Sequence, residues 1–477
     1  MPGVGPRTVG LLAVVAWGAV IAWGAVAGWW TPRGPITTTQ ALASIGISLV
    51  VGFLTGWLTR SRWAMLLAPL LFAAAVEVVR AGYVGPTVDH PHFSALGILA
   101  LLVGRGVHGL LALLPLLVGA AYGAGLARRG SGVSNGRFRR WLGRGVTGLS
   151  AVVVVLTAVA VAIPARTEPI PGGIAELTTV DRMGVMIRGD DPNAPVLLFM
   201  AGSPGGSEVG AMRLHLSALE QRFVVATVDR RGGGKSYGDL DPTSTLTLDD
   251  EVRNTLAVTN YLRGRFHRDK IYLLAHSGSS LQGVLAVQSH PELYRAYVGA
   301  GQAVDLTESD QSQYADTLAW ARAKGDTGLV KQLTAVGPPP YDNLYAYEPM
   351  LLNEGGAFAY AGGTGNGQAE NFEVPEHSLL DKVHVFSGFL DCYGVLYPRE
   401  KDVDLRSRVT RLDVPAYFVA GEHEVPGRSR VLKQWYDTLQ APHKELVTFP
   451  NSGHRSLFER PAEFVSLMTR VLAETNG

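Results

Sequence analysis

The chain has 477 residues, of which 47% are hydrophobic and 17% charged, with a mean hydropathy of +0.14. That length exceeds one ordinary domain, and that hydropathy excludes a simple soluble protein. A formal net charge of +1 supplies no field for nucleic acid, so no nucleic-acid partner is expected, and the single cysteine, Cys392, excludes an intrachain disulfide.

The apolar excess is concentrated in the first third. Runs at 8–30, 41–58, 63–82, 94–127 and 146–164 each approach the ~20 residues that a spanning helix needs. Region 1–164 therefore reads as an α-helical transmembrane bundle of about five helices with the lipid bilayer as its partner. If the spans alternate, Arg7, Arg60, Arg62, Arg128, Arg129, Arg137, Arg139, Arg140 and Arg144 fall on one side, and only Arg33, Arg80 and Arg166 on the other. Cytoplasmic loops retain positive charge, so the amino terminus is expected in the cytoplasm and everything after Pro164 outside it, at the plasma membrane. The run 94–127 is interrupted by Arg105, Gly106 and His108 and is compatible with one tilted helix or with a re-entrant piece followed by a helix. Glu77 and Arg80 have the i, i+3 spacing of an ion pair.

From 165 the composition changes. Pro169 and Pro171-Gly172-Gly173 read as a linker, and 165–477 as an extracytoplasmic domain. Short apolar runs at 195–200, 223–228, 271–275, 415–420 and 445–449, most separated by helix-length segments, suit parallel strands buried on both faces. The expected fold is α/β, a doubly wound, mostly parallel sheet. Pro461 suits the first turn of a final helix, with Phe464, Leu467, Met468, Val471 and Leu472 on one face. Between about 303 and 410 the rhythm breaks into a helical stretch near 309–334, then Pro338-Pro339-Pro340 and Gly- and aromatic-rich sequence. This reads as a helical lid insertion, with Tyr341, Tyr345, Tyr347, Phe358 and Tyr360 as candidate pocket walls.

Ser277 directly follows the run 271–275 and precedes a helical segment, within Ala275-His276-Ser277-Gly278-Ser279. A sharp strand-to-helix turn demands small residues two before and two after the nucleophile, and Ala275 and Ser279 meet that demand. Gly421-Glu422-His423-Glu424 follows the run 415–420, and Asn451-Ser452-Gly453-His454 follows 445–449, which gives the chain order Ser, acid, His. In this arrangement Ser277 is the nucleophile, His454 the general base and Glu424 the orienting acid, with Glu422 as rival acid. His423 and His276 occupy no base position and read as structural or pocket-lining. The loop Ala201-Gly202-Ser203-Pro204-Gly205-Gly206 follows run 195–200, so Ser203 and Gly278 are the candidate oxyanion donors through their backbone N–H groups.

Over roughly 175–475 the chain resembles the α/β-hydrolase family, and within it the prolyl aminopeptidase-like branch. That branch carries a His-Gly-Gly-Pro-Gly loop, matched here by Ala201-Gly202-Ser203-Pro204-Gly205 with Ala201 in place of the histidine. Its Asp-x-Arg-Gly-x-Gly-x-Ser turn is met in full by Asp229, Arg231, Gly232, Gly234 and Ser236. At the elbow, Gly278 stands where the branch commonly has Trp, and Glu424 stands where it has Asp. The resemblance implies a triad at Ser277, Glu424 and His454 with no metal and no organic cofactor. The lid also carries carboxylates, among them Glu348, Glu370, Glu373 and Glu376, as candidates for holding a substrate amine, and the sequence assigns that role to none of them. The resulting expectation is a membrane-anchored serine hydrolase that cleaves an ester or amide bond of a small molecule or peptide, aminopeptidase-like in the reading the resemblance favours. The alternative is a non-catalytic ligand-binding membrane receptor built on a hydrolase fold.

Overall fold

The computed structural model describes residues 6–128, 137–202, 204–365 and 367–475. Backbone contacts divide the chain into two compact units, one formed chiefly by residues up to Pro164 and the other by Ala165–His377 and Asp381–Gly477.

In the first unit all five apolar runs are helical: Pro6–Trp30, Thr38–Thr59, Ala64–Val79, a continuous run Ala95–Ala127, and Arg137–Ala162. Among the described residues four of these are long and apolar enough to cross a membrane, and Ala64–Val79 is shorter. At 1.5 Å per residue it spans about 24 Å, against a hydrocarbon core of ~30 Å. The run 94–127 is one helical rod. It absorbs its interruption in two π-helical segments, Leu102–Gly106 and Gly109–Leu113, which hold Arg105 and flank His108. Arg105 donates to both Glu77 oxygens at 2.9 and 3.0 Å, and Arg80 also pairs with Glu77, so one carboxylate is shared by two guanidinium groups.

Helices Thr38–Thr59 and Ala95–Ala127 approach backbone to backbone. A Cβ on Gly52 or Gly56 would lie 2.1 Å from the carbonyl oxygen of Leu116 or Ala120, and one on Gly119 or Gly123 within 2.2 and 2.0 Å of those of Leu49 and Phe53. Each helix thus presents a small-xxx-small face to the other, the packing that operates where no hydrophobic difference separates lipid from protein.

The second unit is built on an eight-stranded sheet, β1 (Ile174–Val180), β2 (Met183–Gly189), β3 (Val196–Met200), β4 (Val224–Val228), β5 (Ile271–His276), β6 (Tyr294–Ala300), β7 (Ala416–Gly421) and β8 (Lys444–Phe449). The spatial order is β1-β2-β4-β3-β5-β6-β7-β8. β1 and β2 pair antiparallel and β2 runs antiparallel to β4, while β4 through β8 are parallel. This is the doubly wound, mostly parallel sheet expected from the sequence.

The central strands are apolar at every position because both faces are covered. Along β3, Val196, Leu198 and Met200 enter one core with Leu273, Val284, Phe418 and Trp435, whereas Leu197 and Phe199 enter the other with Tyr272, Leu274 and Val298. The second core is closed by helix Pro461–Thr475 through Phe464, Leu467, Met468 and Val471, the face read from its periodicity. Between β6 and β7 the chain leaves the sheet for a series of helices that includes Leu306–Lys324, Thr327–Val336, Leu344–Leu351 and Leu379–Val395.

Replacing Gly119 with Val drives a side chain into the backbone at Leu49 and Phe53. We expect a loss of about 1–3 kcal/mol, the usual range for overpacking, seen as a lower unfolding temperature of the full-length protein in detergent.

Candidate active site

Parallel strands place their carboxyl ends on one edge of the sheet, and the loops leaving that edge carry the candidate residues. Ser277 lies between β5 and helix Ser279–Ser289 with φ +54°, a left-handed conformation that a non-glycine residue holds only when its surroundings impose it. The imposition is visible: Ser277 N–H donates to Ala300 O at the end of β6 (2.8 Å), and Ser280 N–H donates to Ser277 O (2.9 Å).

The structure brings Ser277, His454 and Glu424 together. Ser277 Oγ lies 2.7 Å from His454 Nε2, and His454 Nδ1 lies 2.6 Å from Glu424 Oε2. An ionised carboxylate only accepts, so Nδ1 carries the proton and Nε2 is left to accept from the serine hydroxyl. The rival acid is not in this chain: Glu422 is exposed, and its Oε2 accepts from Asn451 N–H at 3.0 Å. His423 stacks on Tyr360, with ring centroids 4.8 Å apart and planes at 7°.

Glu424 is buried, with 8% of its surface exposed. Burial acts to raise its pKa. The charge and hydrogen bond of His454 oppose this, followed by the charge of Arg428 and the N–H of Val425, and the net effect lowers the group from 4.5 to about 2. Val425 N–H donates to Oε1 at 2.9 Å, and Arg428 Nη1 stands 3.5 Å from the same oxygen. Arg428 in turn binds Glu354 at 2.9 Å and Gln313 at 3.1 Å, both from the segment between β6 and β7. Burial lowers the pKa of Arg428, but Glu354 and Glu424 outweigh it and raise the group above its ordinary value.

The loops carrying Glu424 and His454 are also joined through their backbones. His423 N–H donates to Ser452 O at 2.8 Å and Glu422 N–H to Phe449 O at 2.9 Å. A Cβ on Gly421 would lie 2.2 Å from Gly453 O, so only glycine permits the approach that sets His454 beside Glu424.

Of the two expected oxyanion donors, Gly278 follows Ser277 at the head of helix Ser279–Ser289, and Ser203 lies outside the described residues. Next to it, Gly202 N–H is taken up by Glu208 Oε2 at 2.8 Å. His276 is buried against the same Glu208, its Nδ1 2.8 Å from Oε1. Sequence reading passed over Glu208, Arg428 and Glu354, because no motif marks a residue whose partners come from distant segments.

Of the carboxylates considered for a substrate amine, Glu370 is bound by Arg455 at 2.6 Å and Glu376 by Arg213 at 2.9 Å. Tyr341 and Tyr347 are buried, with Tyr347 packed edge-on against Tyr341, Tyr393 and Tyr397. They form an aromatic cluster more than an open wall. Its Tyr397 hydroxyl donates to Asp310 at 2.9 Å.

A model of the Alpha/beta hydrolase family matches residues 197–467, more than half of the chain. The chain belongs to the alpha/beta hydrolase family. Among curated proteins it is similar to the probable aminopeptidase YbaC of Bacillus subtilis (strain 168), with 27% identity over 308 residues, covering 60% of this chain and 91% of that one. It is also similar to the AB hydrolase superfamily protein YclE of the same organism, 23% identical over 292 residues, covering 60% and 93%. Among solved structures, the proline iminopeptidase of Mycobacterium smegmatis aligns over 63% of this chain and 98% of its own, at 17% identity and a TM-score of 0.47.

The depressed pKa of Glu424 fixes a sign. A carboxyl whose folded value, about 2, lies below its ordinary 4.5 stabilises the fold fully above pH 4.5, and that contribution is lost as the pH falls toward 2. Melting temperatures of the native protein and of Glu424→Gln should therefore differ most above pH 4.5 and converge below it. Gly421→Ala should separate Glu424 from His454, and the loss is expected in kcat of any turnover with KM little changed.

Proposed function

We propose that this family member is a membrane-anchored serine hydrolase that cleaves an ester or amide bond through an acyl-enzyme on Ser277. The observation that carries the reading is the pair of short contacts, 2.7 Å from Ser277 Oγ to His454 Nε2 and 2.6 Å from His454 Nδ1 to Glu424 Oε2. As a carbonyl carbon of the substrate comes within reach, the Ser277 hydroxyl adds to it while its proton passes to His454 Nε2. Glu424, ionised and buried, stabilises the imidazolium so formed. The tetrahedral oxyanion is held by backbone N–H groups, Gly278 and Ser203 in this reading. Collapse expels the amine or alcohol, which takes the proton from His454. Water, deprotonated by the same imidazole, then attacks the ester to Ser277 and releases the acid.

The similarity to a protein named as a probable aminopeptidase favours a peptide or amino-acid amide as substrate, and an ester is the second class to test. The helices between β6 and β7 act as a lid in this reading, since Glu354 and Gln313 from that segment grip the Arg428 that faces Glu424. Four helices long and apolar enough to cross a membrane support anchoring in a bilayer. The arginines at 60, 62, 128 and 144 support a cytoplasmic amino terminus and an extracytoplasmic region from 165 onward.

Purified full-length protein should hydrolyse a panel of p-nitroanilides of amino acids or p-nitrophenyl esters, with the preferred class given by the larger kcat/KM. Ser277→Ala should lower kcat by at least about 10⁴-fold, given the cost of losing a triad member. Turnover by Ser277→Ala at the native rate would remove the acyl-enzyme. Sidedness is read separately, by labelling lysines of region 165–477 on intact cells with a membrane-impermeant amine reagent.

A further inference from the structure

Beside the hydrogen-bond chain described above lies a second buried pair that the proposed reaction does not use. His276 is 3% exposed and Glu208 has 13% of its side chain exposed. His276 Nδ1 contacts both Glu208 oxygens, at 2.8 and 3.0 Å, and its Nε2 lies 3.3 Å from the backbone carbonyl oxygen of His454. Glu208 Oε2 also accepts from Gly202 N–H at 2.8 Å. The ring is further fixed edge-on against Phe458, centroids 5.6 Å apart.

These contacts join three loops that the chemistry needs in register. His276 is covalently next to Ser277. Gly202 is covalently next to Ser203, in the loop that follows β3. The carbonyl that His276 faces belongs to His454 itself. One carboxylate and one imidazole therefore connect the nucleophile turn, the oxyanion loop and the base-bearing loop without touching the reacting atoms. Both ring nitrogens face oxygen atoms, so the imidazole is oriented from both sides. Burial acts to raise the pKa of Glu208, but the charge and hydrogen bond of His276, then Gly202 N–H and the charge of Arg455, outweigh it and lower the group. A carboxylate ionised in this place keeps both its donors.

We propose that Glu208 and His276 are a positioning pair that sets the oxyanion loop and the base-bearing loop against Ser277. The proposal rests on the serine-hydrolase reading above. Its physical content is that a backbone donor stabilises an oxyanion only where it is held before the charge appears, and that displacements near 1 Å cost about 100-fold in rate. Gly202 N–H, spent on Glu208, is removed from the oxyanion donors, and its bond ties the loop after β3 to Glu208.

The test compares native full-length enzyme with Glu208→Gln, which keeps the side-chain volume but offers one acceptor oxygen to two donors and no charge. A p-nitrophenyl butyrate assay gives kcat and KM. An aryl trifluoromethyl ketone, which adds Ser277 Oγ to its carbonyl carbon and leaves an oxyanion, gives an inhibition constant. For Glu208→Gln the expected result is a kcat lower by roughly 10- to 100-fold, ketone affinity lower in parallel, and KM within about threefold. Unchanged kcat and ketone affinity would overturn the proposal, as would a raised KM with unchanged kcat, which would make the pair part of the substrate pocket. If Glu208→Gln does not yield folded protein, His276→Asn is measured by the same two criteria. Ser277→Ala separates this outcome from failure of the parent reading: activity retained in Ser277→Ala sinks the reaction itself, whatever position 208 does.

Discussion

A carboxylate held out of water is costly unless charge and hydrogen bonds replace its solvation, and the site is arranged around that constraint at Glu424. His454 supplies the nearest compensation, Arg428 a second charge, and the Val425 N–H a third contact on the remaining oxygen. Arg428 and Val425 lie within four residues of Glu424, and His454 comes from the loop after β8. If the β7 and β8 loops were not in backbone contact at Gly421 and Gly453, the carboxyl would lose the imidazole, the strongest of the influences that oppose burial and keep it ionised.

The sheet sets where these loops begin. β5, β6, β7 and β8 are neighbours, so the turns that follow β5, β7 and β8 open on the same edge. The strained backbone at Ser277 is held by a bond to the end of β6, where Ala300 lies. Arg428 extends the same network to Gln313 and Glu354, so the ionisation of Glu424 depends on a segment far from it in sequence. In the other unit Glu77 answers both Arg80 and Arg105, and paired glycines let two helices meet at their backbones.

Much of this was legible in the sequence, and the reasons are local. The strands of the parallel core read as continuous apolar runs because both their faces are buried, and Phe464 to Val471 read as a helix face because its period is 3.6. The order of Ser277, Glu424 and His454, each just past such a run, needed no tertiary information. β1 and β2 escaped notice. Their hairpin turns at Asp181-Arg182, both with positive φ, where the usual Asn-Gly signal is absent, and β1 is an edge strand with mixed polarity. The partners of the site were hidden for a different reason. Glu208, Glu354 and Arg428 are ordinary surface-type residues in sequence, and only the fold brings Glu208 to His276 and Glu354 to Arg428. His276 was read as structural or pocket-lining, and its two ring contacts give that reading a definite form.

The central claim is that one hydroxyl, at Ser277, is made nucleophilic by its neighbours. Treatment of the full-length protein with a fluorophosphonate, followed by proteolysis and tandem mass spectrometry, locates the adduct by residue. The account predicts a single stoichiometric phosphonyl group on Ser277, formed at neutral pH and absent from Ser277→Ala. An adduct on another serine, or none under conditions where the protein remains folded, would contradict it.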